Sequence, residues 1–155
     1  MIERYEPVLW ATVLVGLTAL NLREGARHEE LAAEVPLSPK ALYQALARGQ
    51  SRLQILDARA DLVEGFEDAH VPGAIPFPGC EPERAPEAAR GQILSSAATV
   101  LVLDPDDAAA LARCRAAFPR ARVLAGGMEA WSDATLPEDM GEYSAPKSGA
   151  GGGCL

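Results

Sequence analysis

The sequence predicts an α/β domain, with a mostly parallel β-sheet covered by helices on both faces, preceded by one transmembrane helix. Short apolar runs alternate along the chain with stretches of helical character, as in parallel sheets whose strands are joined by helices. Residues 98–103, ATVLVL, are continuously apolar, which is typical of a strand buried on both faces. Residues 7–22, PVLWATVLVGLTALNL, carry no charged side chain.

We interpret residues 7–22 as a single membrane span. A helix of this length covers roughly 24 Å of a hydrocarbon layer about 30 Å thick. The flanking Arg4 and Arg23 are long enough to reach the membrane interface. One alternative is a cleaved leader that releases a soluble periplasmic module, but Glu3 and Glu6 are unlike the basic front of a signal peptide. The other alternative is a buried globular helix.

The arginines around this segment predict its orientation. Arg4 precedes it, whereas Arg23 and Arg27 follow closely behind. Because basic residues concentrate on the cytoplasmic side of membrane helices, this distribution places the following domain in the cytoplasm.

Composition limits the possible partners. The net charge of −8 disfavours nucleic acid, whose partners have basic surfaces. Lys40 and Lys147 are the only lysines among 14 basic residues, an arginine bias that favours a bacterial, GC-rich genome.

The cysteines predict no covalent framework. Cys80, Cys114 and Cys154 are odd in number, widely spaced and without a C-x-x-C pair. This pattern argues against a disulfide framework and a zinc site, and it favours a reducing compartment.

The chain divides into three parts: a membrane-anchor helix with a charged helical linker (1–36), the α/β domain (37–137) and a flexible Gly-rich tail with nothing to bury (138–155). Ser38 and Pro39 begin the first helix of the domain, and Gly49 ends it. Strands are expected at 53–57, 74–77, 98–103 and 121–124, and further helices at 105–118 and from 126 to 131.

Two stretches carry a family resemblance. Residues 57–75 read DAR…FEDAHVPGAI, and residues 126–137 read GGMEAW…LP. Together they resemble the D-x-R…G-H-I-x-G-A and G-G-x-x-x-W…P signatures of the rhodanese-like domain, with Ala69 in place of the usual glycine. The resemblance covers about 37–137 and implies the sulfurtransferase fold.

The residues of these motifs also have structural roles that follow from their own chemistry. Asp57, at a strand end, is suited to accept loop N–H groups, and Arg59 is suited to clamp it. His70 is expected to pin a turn through its ring nitrogens, because a catalytic histidine needs a partner within reach. Gly126 and Gly127 allow a tight turn, and Trp131 fills the core.

The resemblance also implies a nucleophile that this sequence lacks. In active members a cysteine ends the strand equivalent to 98–103, and a C-x-x-G-x-R-[ST] loop wraps its persulfide with backbone N–H groups. Here Asp104 takes the cysteine's place, and the loop is shorter. We expect Asp104 to be the N-cap of a helix, with Pro105 at its first position and Asp106 and Asp107 in its first turn.

The former active-site region therefore comprises Asp57, Arg59, His70, Asp104, Asp106 and Asp107, with no catalytic residue, metal or cofactor. The sequence predicts a membrane-anchored, catalytically inactive rhodanese-like domain that serves as a protein-interaction or accessory subunit of a membrane complex. The alternative is a sulfurtransferase or sulfur carrier that uses Cys80 or Cys114. Cys114 is flanked by arginines, which would lower its thiol pKa, whereas glutamates near Cys80 would raise that of its thiol.

Overall fold

A four-stranded parallel sheet forms the centre of the domain. A computed structural model describes residues 35–49 and 53–146 of the chain. The strands lie in the order β2-β1-β3-β4, and all three neighbouring pairs are parallel. Each strand falls within a predicted one: β1 is Leu53–Asp57, β2 is Ile75–Pro76, β3 is Ala98–Val102 and β4 is Arg122–Val123. The predicted parallel sheet is confirmed.

Helices cover both faces of this sheet, as predicted. They are α1 (Pro39–Ala47), a π-helix (Leu62–Glu67), a 3-10 turn (Pro78–Cys80), α2 (Glu87–Arg90), α3 (Ala108–Ala117) and α4 (Gly127–Asp133). Side chains alternate along each strand, so β3 sends Leu101 to one face and Val100 to the other. One core joins the sheet to α3 and the 3-10 turn, and the other joins it to α1, the π-helix and α4.

The first helix begins and ends where the sequence predicts. The Ser38 hydroxyl accepts a hydrogen bond from the Ala41 N–H at 3.4 Å, and Pro39 occupies the first turn. Gly49 follows the helix with a φ of +63°. Leu37, just before this helix, forms a parallel bridge to Leu124, which extends the sheet beyond β4.

The register of β1 and β3 positions the site. They pair over their whole length, from Leu53 opposite Ala98 to Asp57 opposite Val102. Their carboxyl ends therefore lie side by side, and the segment that begins at Asp104 emerges next to Asp57.

Residues after Pro137 do not all behave as the expected tail. Asp139 and His70 exchange backbone hydrogen bonds, each 2.9 Å long, and the Gly141 N–H donates to the Glu67 carbonyl at 2.6 Å. Tyr143 packs against the core and meets Phe66 edge to face. The segment therefore buries apolar surface, which the expectation of a tail with nothing to bury overlooked. Residues 147–155 lie outside the described part.

The proposed membrane segment, 7–22, and the linker up to residue 34 also lie outside the described residues. In the ranges 35–49 and 53–146, no helix combines the length and apolar character needed to cross a membrane.

Candidate functional site

Asp57 and Arg59 form a buried ion pair at the carboxyl end of β1. The Asp57 side chain is 1% exposed and that of Arg59 is 11% exposed. Arg59 Nε lies 2.9 Å from Asp57 Oδ1 and its Nη2 lies 2.6 Å from Oδ2, a two-pronged contact. Nη2 also donates to the Ala69 carbonyl at 2.7 Å. The predicted clamp is confirmed, and it ties the strand end to the loop before β2.

The charges around Arg59 keep it in its cationic form. Burial by itself lowers the pKa of its guanidinium, but the hydrogen bond and charge of Asp57 outweigh that effect, with smaller contributions from Asp104 and Asp68. The net result is a raised pKa, so the arginine stays charged and committed to its carboxylate partner. Asp104 thus belongs to the same electrostatic neighbourhood as Asp57 and Arg59.

The loop after β3 differs in one detail from the prediction. Helix α3 starts at Ala108, and its N-cap is Asp107, whose Oδ1 accepts from the Ala110 N–H at 2.8 Å. Asp104 instead opens a turn, in which its carbonyl accepts from the Asp107 N–H at 3.1 Å. The expectation that Asp104 caps the helix is wrong, because Pro105 and Asp106 lie in this turn and not in the helix.

Three backbone N–H groups in this loop and the first turn of α3 already have acceptors. Pro105 has no N–H, and the Ala108 N–H donates to the Asp106 carbonyl at 3.0 Å. With the Asp107 and Ala110 donors also engaged, the loop presents carboxylates outward: Asp104 and Asp106 are exposed and Asp107 is half-buried. This arrangement repels an anion, whereas the loop of active family members attracts one.

The start of α4 closes the space behind the loop. Gly126 and Gly127 have φ values of +70° and +59°. A Cβ on Gly127 would collide with the Leu103 carbonyl at the end of β3, so only glycine fits this approach. Trp131 is fully buried and donates from Nε1 to the Pro137 carbonyl at 2.8 Å, which confirms its predicted core position.

His70 lies in an antiparallel bridge with Asp139, shortly after the π-helix. Its Nδ1–H donates to the Phe66 carbonyl at 2.7 Å, and its ring stacks on Phe66 with centroids 3.8 Å apart. The ring therefore holds the end of the π-helix, where the sequence predicted that it would pin a turn. The same side chain lines a cavity of about 420 Å³ beside β2, together with Gln92 and Tyr143.

The sequence interpretation missed a disulfide. Cys80, in the 3-10 turn, is bonded to Cys114, in α3. The argument from spacing was wrong because two cysteines 34 positions apart are brought together by the packing of α3 on the turn. A complementary signal was available: Glu81 follows one cysteine and Arg113 precedes the other, and their side chains form an ion pair at 3.2 Å.

No cluster of metal-binding side chains occurs in the part of the chain that the structure describes. Of the predicted region, Asp57 and Arg59 are in contact, and the charge of Asp104 acts on Arg59. Asp106 and Asp107 follow Asp104 in the same loop. His70 comes directly after Ala69, whose carbonyl accepts a hydrogen bond from Arg59.

Comparison with known proteins places these features in context. The family model of the rhodanese-like domain matches residues 38–134, more than half of the chain. No curated protein matches the sequence.

Solved structures agree with this match. The Alr3790 protein from Anabaena sp. is 25% identical, with a TM-score of 0.55, and the match covers 67% of this chain and 81% of that one. The BH2092 protein from Bacillus halodurans, 20% identical, shares the fold with a TM-score of 0.56 over 76% of this chain and 85% of that one. Thiosulfate sulfurtransferase from Pseudomonas aeruginosa is 25% identical, with a TM-score of 0.53, and the match covers 68% of this chain but only 19% of that one.

Proposed function

The chain belongs to the rhodanese-like domain family, and we propose that here the fold binds another protein and does not transfer sulfur. In this proposal residues 7–22 anchor the domain in a membrane, where it serves as an accessory subunit of a membrane complex without a metal or cofactor. The observation that carries the proposal is the loop after β3, in which Asp104 occupies the position of the family's nucleophile.

Two properties of this loop support inactivity. A persulfide-forming cysteine needs its thiolate stabilised by N–H groups that converge on it. In this chain the N–H groups of Asp107, Ala108 and Ala110 donate to protein oxygens instead. The carboxylates of the loop would also oppose the approach of thiosulfate or another anionic sulfur donor.

The alternative, sulfur transfer through Cys80 or Cys114, is disfavoured by the disulfide. Cys80 is 7% exposed, Cys114 is fully buried, and each sulfur is bonded to the other. Neither is available as a thiolate while the disulfide is intact, and the nucleophile in thiol chemistry is the thiolate.

A sulfurtransferase assay on the full chain, purified in mild detergent, tests the inactivity. We expect no thiosulfate:cyanide turnover from the wild type or from Asp104→Cys, because restoring the thiol does not restore the N–H groups. Replacing residues 104–107 with the longer family loop is the positive control and should yield turnover. Activity in the wild type would establish the alternative if Cys80 or Cys114 also gained about 32 Da, the mass of the one sulfur atom that a persulfide adds.

The accessory role is tested separately. The tagged full chain, extracted from its native membranes in mild detergent, should co-purify with one partner in a fixed ratio. Recovery of the chain alone after chemical crosslinking of the membranes would contradict the role, even if the domain proved inactive.

A further inference from the structure

The Cys80–Cys114 disulfide joins two elements beside the Asp104 loop. The 3-10 turn Pro78–Cys80 follows β2, and α3 follows the Asp104 loop, so the bond crosses from one strand connection to another. The two Cα atoms are 5.1 Å apart, within the range that a disulfide spans without backbone movement.

The local backbone is shaped to present the Cys80 sulfur to the helix. Gly79 and Cys80 both have positive φ, +59° and +58°. A left-handed conformation is uncommon for a residue other than glycine, asparagine or aspartate, and it persists where the surroundings hold it. Arg113, next to Cys114, adds contacts on the same side: its Nε donates to the Gly79 carbonyl at 3.1 Å and pairs with Glu81.

Burial shows when this bond can form. Cys114 is fully buried and Cys80 nearly so, in one core with Phe77 and Leu103. A protein oxidant cannot reach either sulfur once this core has closed. The bond therefore forms while the chain folds, in whichever compartment the domain folds.

We infer that this is a structural disulfide acquired in an oxidising compartment, so that the rhodanese-like domain lies on the extracytoplasmic side of the membrane. Structural disulfides persist in secreted and periplasmic proteins and are rare in the reducing cytosol. The inference reverses the orientation that Arg4, Arg23 and Arg27 predict, and also the reducing compartment predicted from the cysteine spacing. It stands whether residues 7–22 remain as an anchor or are removed as a leader.

The oxidation requires a protein disulfide as the electron acceptor. One cysteine thiolate attacks this disulfide and forms a mixed disulfide, and the thiolate of the second cysteine then displaces the oxidant. The two thiols lose two protons and two electrons in total, and the oxidant leaves as a dithiol.

Thiol counting in intact cells tests the inference. The full chain is produced in a bacterial host, the cells are quenched in acid, and denatured protein is labelled with a maleimide polymer before or after reduction. We expect one labelled cysteine, Cys154, before reduction and three afterwards. Three labelled cysteines before reduction would overturn the disulfide.

Two matched variants check the pairing. Cys154→Ser should show no labelled cysteine before reduction and two after it, whereas Cys80→Ser should show two before reduction because Cys114 loses its partner. A Cys154→Ser protein that is labelled without reduction would contradict the Cys80–Cys114 bond.

The compartment is tested by removing its oxidant. In a host that lacks the extracytoplasmic disulfide-forming oxidase, the unreduced wild type should change from one labelled cysteine to three. Protease added outside spheroplasts should also digest the domain. Unchanged labelling in that host, or protection from the protease, would refute the extracytoplasmic location while leaving the proposal of an inactive binding domain untouched.

Discussion

At the scale of single residues, Asp57 shows that a motif residue of the family can have a purely structural role. Its carboxylate and the Arg59 guanidinium satisfy each other out of water, and Arg59 also holds the Ala69 carbonyl. Because this pair links β1 to the loop before β2, its role is structural and does not depend on a nucleophile at position 104.

Asp57→Ala should lower the free energy of unfolding by about 3–5 kcal/mol, because it leaves the buried Arg59 charge without its partner. Urea denaturation measures the change. Asp106→Ala, at an exposed position, is the control and should change stability by less than about 0.5 kcal/mol. An equally small effect of Asp57→Ala would mean that water solvates the Arg59 guanidinium once its partner is removed.

Tyr143 is the second informative residue. Its hydroxyl is buried and has no hydrogen-bond partner among the described residues, and burial raises its pKa above the ordinary value of 10.0. The folded state therefore favours the protonated phenol, and its contribution to stability is complete below pH 10 and is lost as pH rises through the folded pKa.

Tyr143→Phe should remove that alkaline loss and raise the free energy of unfolding by about 1 kcal/mol at neutral pH, since it deletes an unpaired buried polar group. Unfolding curves of wild type and variant at pH 7 and above pH 10 provide the comparison. Equal pH dependence of the two proteins would show that the phenol is hydrated in the fold.

At the scale of elements, the β3–α3 connection decides what the site can do. It consists of a turn from Asp104 to Asp107 and a helix capped by Asp107. In our proposal these stand where active family members have an anion-binding loop. The N–H groups of Asp107, Ala108 and Ala110 donate to oxygens of the connection itself, which is the basis of the proposed inactivity.

Asp107→Ala should destabilise the protein by about 1 kcal/mol, the typical effect of losing an N-cap side chain, whereas Asp104→Ala should have little effect. Thermal unfolding of the two variants side by side distinguishes them. If Asp104→Ala were the more damaging substitution, the cap would lie where the sequence alone predicted it.

At the scale of the whole molecule, the fold is stabilised by two cores on opposite faces of one sheet and by one disulfide bond. The disulfide joins the 3-10 turn to α3 on one face, and its closed loop contains α2, β3 and the Asp104 turn. The bond restricts the conformations of the unfolded chain between Cys80 and Cys114, a segment that includes the Asp104 turn.

Reduction of the disulfide should lower the free energy of unfolding by about 2–4 kcal/mol, because the unfolded chain regains the conformations that the cross-link removes. Denaturation of the oxidised and reduced protein measures this difference. Cys154→Ser, which leaves the bond intact, should match the oxidised wild type; equal stability of the oxidised and reduced forms would show that the bond contributes nothing to folding.

Local sequence patterns were enough to predict the sheet, the family and the position of Asp104 directly after β3. Continuous apolar runs and paired glycines encode β3 and the start of α4 locally, and Asp104 can be read directly against the family motif. The folded chain was needed to show that Asp107 caps α3, that Tyr143 returns to the core and that Cys80 is bonded to Cys114. Two physical causes are responsible. The contacts of Tyr143 and of the two cysteines join side chains distant in sequence, and the choice of cap depends on competition between a turn and a helix over the same few residues.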